Sequence, residues 1–146
     1  MARNLLDLAN DMSKLSKQVN KAANDAAIQV ALTIVGELAF KTPVDTSKAL
    51  SSWFVTLGSP TSLVGRAHYV GESGSTKNMS ATETLAQARK VLSNKKAGQV
   101  IYITNNQPYI KRLNEGYSQQ QAAGFVERAV LIGELKMKDI KVKIGG

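Results

Sequence analysis

Leu5, Leu8, Met12, Leu15, Val19, Ala22 and Ala26 recur at alternating steps of three and four. That spacing puts them on one face of an α-helix. The opposite face carries Asp7, Asn10, Asp11, Lys14, Lys17, Asn20, Lys21 and Asn24. Beyond Ala26 the stripe moves to Val30, Ile34 and Leu38, within "AIQVALTIVGELAF", which is apolar nearly all round. The first half therefore reads as a surface-lying or projecting arm and the second as a buried helix. A helix from Ala2 to Lys41 would be about 60 Å long at ~1.5 Å per residue. A compact domain of this size has a radius of gyration of only about 15 Å. The stripe needs a partner: the domain itself, if the helix breaks near Asn24-Asp25, or a neighbouring subunit.

The helical pattern ends in "FKTPVDTSKALSSW", residues 40–53. Pro43 biases Thr42 away from helix. Asp45, Thr46 and Ser47 can bond nearby backbone amides and shape a turn. Trp53, Val55 and Leu57 then alternate with Ser52, Phe54 and Thr56 as a strand, closed by Gly58-Ser59-Pro60. "TSLVG" reads as a second short strand, and residues 67–80 as a loop. Ser80 and Glu83 resemble a capping box opening a helix with Leu85, Ala88 and Leu92 inward. "QVIYITN" is the clearest strand. "QPYIKRLNEG" fits a short helix entered by Pro108 and closed by Gly116. "SQQQAAGFVERAVLIGEL" reads as a helix with Ala122, Phe125, Val126, Ala129 and Ile132 inward, and Ile140, Val142 and Ile144 alternate with lysines as an edge strand. The expected fold is α+β: a long N-terminal helix packed on a small antiparallel β-sheet, with two or three further helices. Residues 1–146 form a single domain, with 1–24 available as a projecting helical arm.

Composition limits the chemistry. With 146 residues and no cysteine, the chain fits one domain that forms a core without disulfides or thiolate metal sites. No run reaches the roughly 18 uninterrupted apolar residues of a membrane span, so no membrane partner is expected. Met1 to Asn10 lacks the layout of a signal peptide, which predicts use without that export route. His68 is the sole histidine and lacks the companions of a zinc site or a catalytic triad. A lone acid–base role beside Tyr69 and Glu72 competes with an ordinary loop histidine. No phosphate-binding loop or dinucleotide fingerprint occurs. Neither catalysis, a cofactor nor a metal is expected. The 19 basic and 11 acidic residues leave a net charge of +8. That suits a nucleic-acid-binding module as an alternative, with clusters at Lys95-Lys96 and Lys136 to Lys143. Trp53 reads as core, or as an interface anchor.

Two stretches go further together than apart. "TPVDTSKALSSW" resembles the Thr-Pro-Val-Asp-Thr-Gly turn, followed by a strand with Ser or Asn before Trp, of tailed-bacteriophage neck and tail-completion proteins. "NNQPYIKRLNEGYSQQQAAGFV" is similar to that family's second hallmark: Asn, then Pro-Tyr, then Leu-x-x-Gly-x-Ser-x-Gln-Ala-Pro-x-Gly. The matching positions are Thr42, Pro43, Val44, Asp45, Thr46, Ser52 and Trp53, then Asn106, Pro108, Tyr109, Leu113, Gly116, Ser118, Gln121, Ala122 and Gly124. Their order and the preceding helix agree over about residues 25 to 130. Ser47 stands where the family usually has Gly, Ala123 where Pro is common, and Glu115 is shifted by one place. A Gly used for a positive φ angle would leave Ser47 strained.

The resemblance implies a structural virion protein of the head–tail junction: a neck, tail-completion or tail-terminator protein, found in the neck or upper tail and in the host cytoplasm during assembly. It implies a homo-oligomeric ring, six-fold favoured and twelve-fold allowed, touching the head connector or stopper and the tail tube, with DNA passing through its channel. The junction then reads as an angle-setting device, because a ring repeats one angle at every interface. The competing reading is a tight turn that serves folding alone.

Overall fold

The structure is a computed structural model that describes residues 4–43, 47–116 and 124–145. In chain order the elements are α1 (Leu5–Lys41), a 3-10 turn (Leu50–Ser52), β1 (Phe54–Leu57), α2 (Lys77–Leu92), β2 (Ile101–Thr104), α3 (Ile110–Asn114) and α4 (Phe125–Gly145). The α+β expectation holds: a long N-terminal helix, a small antiparallel sheet and three further helices.

α1 is one unbroken helix of 37 residues, about 55 Å long at ~1.5 Å per residue. It does not break at Asn24-Asp25. Asn24 is instead anchored to the domain, with Lys95 Nζ donating to its Oδ1 at 2.6 Å. The helix starts with a reciprocal cap. Asn4 Oδ1 accepts the Asp7 amide at 2.8 Å, and Asp7 Oδ2 accepts the Asn4 amide at 3.5 Å. Asp7 also places a negative charge in the first turn, where the helix dipole favours it. The arm thus has its own start signal.

The second half of α1 is the pillar of the core. Ala31 and Val35 join Val55 of β1 and Ala88 and Leu92 of α2. Leu38 joins Trp53, Phe125 and Ala129. Ala39 meets Leu50 and Ala81. The sheet has two strands among the described residues, paired antiparallel from Phe54↔Thr104 to Leu57↔Ile101. Two strands alone are marginal in water. Here Val55 is buried and Leu57, Ile101 and Ile103 pack around the same cluster, so the helices stabilise the pair.

Four expectations are corrected. Ile140, Val142 and Ile144 lie in α4, not in an edge strand. Ile140 continues the helical spacing of Phe125 and Ala129, and it is buried. Ile132 faces outward; Gly133, one residue on, meets α1 instead. "TSLVG" forms no strand. Its carbonyls at Thr61 and Leu63 are taken by the Asn106 amide at 2.8 and 3.0 Å, which replaces a ladder. Ser80 caps no helix, because α2 begins a turn earlier at Lys77. Its buried hydroxyl accepts the Tyr69 amide at 3.2 Å instead. The expected inward position of Ala122 lies outside the described residues.

α4 can approach α1 closely because residue 133 has no side chain. A Cβ there would overlap Ile34 Cγ1 and lie 2.6 Å from its Cδ1. Gly133→Val should destabilise the fold by about 1–3 kcal/mol through overpacking. Urea denaturation measures this, and an unchanged midpoint would contradict the crossing.

Candidate functional site

The corner after α1 is built by one threonine with two tasks. Thr42 leaves the helix with φ −62° and ψ 124°, the extended conformation that a following proline favours. Its amide still donates to the Leu38 carbonyl at 2.9 Å, and its hydroxyl donates to the same oxygen. The hydroxyl oxygen also accepts the Trp53 indole N–H at 2.8 Å. Thr42 is fully buried and Trp53 is 9% exposed, so this contact is shielded from water. It ties the end of α1 to the residue that enters β1. Pro43 is buried beside it.

Ser47 occupies the left-handed region at φ 66°, the conformation expected where a glycine is usual. For a non-glycine residue this costs roughly 1–2 kcal/mol. The buried environment holds it. Its hydroxyl lies 2.9 Å from Thr76 Oγ1, and its carbonyl accepts the Ser51 amide at 3.1 Å.

The two sequence hallmarks meet in space, and Gln107 joins them. Its Nε2 donates to Ser52 Oγ at 2.8 Å and to the Gly65 carbonyl at 2.9 Å. Ser52 Oγ in turn donates to the Lys48 carbonyl at 2.7 Å. Asn105 Nδ2 reaches the Ala49 carbonyl at 2.8 Å. Leu113 packs against the cluster of Trp53, Leu38 and Phe125. Gly116, at φ 95°, follows α3. Asn114 links α3 to α4: its carbonyl accepts the Gly124 amide at 2.7 Å and its Oδ1 the Val126 amide at 2.9 Å. Asn114 Nδ2 also donates to both Glu127 carboxylate oxygens at 2.9 and 3.0 Å, which holds that carboxyl below its usual range.

Pro108 and Tyr109 stay at the surface, and partial burial raises the Tyr109 phenol. Val44, Asp45, Thr46, Ser118 and Gln121 lie outside the described residues, and with them the proposed corner role of Asp45 and Thr46. Gln107, Asn105 and Asn114 were not singled out by sequence reasoning. The run Asn105-Asn106-Gln107 before Pro108 was the available signal, since three consecutive amides can satisfy backbone groups that lack a ladder partner.

The arm is the other half of the site. Every residue from 4 to 21 is exposed. On its apolar stripe Leu5 is 85% exposed, Met12 63% and Leu15 60%. By length and composition alone α1 is also able to cross a membrane. Its C-terminal half, however, already has protein neighbours at Ala31, Val35, Leu38 and Ala39. Among the described residues, no group of three His, Asp or Glu is placed to hold a metal. His68 sits in the loop before α2. Burial lowers its pKa, and the Glu83 carboxylate partly offsets this. No family model, curated protein or solved structure matches this chain.

Two predictions test this geometry. Thr42→Val leaves the indole N–H buried without its acceptor and should cost about 1–3 kcal/mol. In a double-mutant cycle with Trp53→Phe, the two changes should be non-additive by at least ~0.5 kcal/mol; strict additivity would remove the coupling. The folded chain should also bind fewer protons at His68 than the unfolded chain. Its contribution to stability is then complete above the ordinary imidazole pKa of about 6.5 and is lost as pH falls through the lower folded value. His68→Gln should flatten the stability–pH curve between pH 5 and 7. A slope unchanged by that substitution would contradict the assignment.

Proposed function

We propose that this chain is a structural protein of a tailed-phage or prophage particle, acting at the head–tail junction. It assembles with copies of itself into a ring that joins the head connector to the tail or completes the tail's upper end. Its work is binding rather than catalysis. The sequence hallmarks supply the family reading. The observation that carries the mechanism is the exposed apolar stripe on a helix whose far end is locked by the Thr42–Trp53 corner. Such a stripe gains from burial at about 25 cal/mol per Å². A fixed corner presents it at the same angle in every copy, as ring closure requires.

The +8 charge favours the second reading, a nucleic-acid-binding module. Lys138 is exposed on α4, whereas Lys95 is engaged with Asn24. The readings differ in their salt dependence. A module neutralising several phosphates loses affinity steeply as salt rises. A neck subunit recognises protein surfaces.

Co-expression with the products of the genes flanking its own, followed by electron microscopy, tests the proposal. The expected result is a ring of this chain at one end of a tail tube or on a connector. Failure to join any such particle, together with duplex-DNA binding that collapses between about 50 and 200 mM salt, would favour the nucleic-acid reading.

A further inference from the structure

The arm of α1 and an open groove on the same chain are complementary. The groove holds about 590 Å³ between α1, β2 and α4. Ala23, Ala27 and Val30 of α1 line one side, and Ile103, Met137 and Ile140 line the rest. Alanines on a helix leave holes, and a neighbouring helix fills such holes with larger side chains. The arm offers side chains of that size: Leu5, Leu8, Met12, Leu15 and Val19, each between 47% and 85% exposed.

An arm cannot fill the groove of its own chain. The groove is walled by the same helix, and α1 runs unbroken from Leu5 to Lys41. A continuous helix does not fold back on itself. The occupant must come from outside, and a second copy brings an arm of the right chemistry.

We propose that the α1 arm of one copy docks in the groove of another. The area fits this assignment. Five aliphatic side chains at roughly 100 Å² each give about 500 Å² on the arm. A copy that both donates an arm and receives one makes two such contacts, so the arms alone supply about 1,000 Å², the least that a specific interface needs. Closed arrangements satisfy every arm and every groove. The contact itself stands without the ring reading; only the number of copies rests on it.

The chain has no cysteine, so introduced thiols report a single pairing. Leu8→Cys and Leu15→Cys place a thiol on the arm, and Ala23→Cys and Ala27→Cys place one in the groove. Each arm variant is mixed with each groove variant of the full chain under mild oxidation. At least one mixture should give an arm-to-groove disulfide in large excess over either variant alone. Adding Leu5→Glu and Met12→Glu to the arm variant should abolish it while circular dichroism stays unchanged, because both positions are exposed. Three results would overturn the proposal: no heterodisulfide in any of the four mixtures, dimers formed equally well by the arm variants alone, or survival of the bond after the glutamate changes. Doubly substituted chains such as Leu15→Cys with Ala27→Cys separate this contact from the ring. Covalent ladders beyond two copies support both ideas. Covalent products that stop at two copies keep the arm in the groove and sink the ring.

Discussion

The hydrogen bond from the Trp53 indole to the Thr42 hydroxyl organises this molecule. It joins the residue that ends α1 to the residue that enters β1, where no water competes. A buried indole N–H must be paired, so the corner has few alternative geometries. Around it Leu38, Phe125 and Ala129 close on the tryptophan ring, and Leu113 packs from α3. One side chain therefore fixes where α1 stops, where the sheet begins and how α3 and α4 approach.

That corner gives meaning to the exposed arm. A stripe of leucines on a loosely held helix could collapse onto its own domain. Here the helix is capped at Asn4, anchored at Asn24 and locked at Thr42. Its apolar face remains in water for every residue of the first turns. The exposed face and its rigid presentation are what the proposed association between copies would use. The amide side chains of Asn105, Asn106 and Gln107 serve the same end, by holding the non-ladder segment 61–65 and the 3-10 turn against the strand pair.

Much of this was legible in the sequence. The helical period of Leu5 to Ala26 needs only spacing to be read, and the burial of its continuation follows from apolar residues on every side. The Thr-Pro step marked the helix end, and the place of Ser47 at a usual glycine position agrees with its positive φ. Other features were hidden for physical reasons. Ile140, Val142 and Ile144 fit a two-residue period, yet Ile140 also fits the helical spacing set by Phe125 and Ala129, and five residues cannot separate the two. Ile132 shares the three-and-four spacing of Phe125 and Ala129, whereas close packing of α4 on Ile34 selects the bare backbone at Gly133. The Gln107–Ser52 bond spans 55 residues of chain, and no local pattern encodes it.

The distance between the arm and the body tests the central claim most directly. The absence of cysteine lets spin labels be placed at Asn10→Cys and Lys111→Cys alone. Pulsed dipolar spectroscopy of this labelled chain, diluted into unlabelled protein, reads the spread of distances within one molecule. A rod held by the Thr42–Trp53 corner predicts one narrow distribution, broadened when Thr42→Val is added. A broad or multi-peaked distribution in the otherwise unchanged chain would mean that the arm swings freely, and the account of a fixed presenting angle would fail.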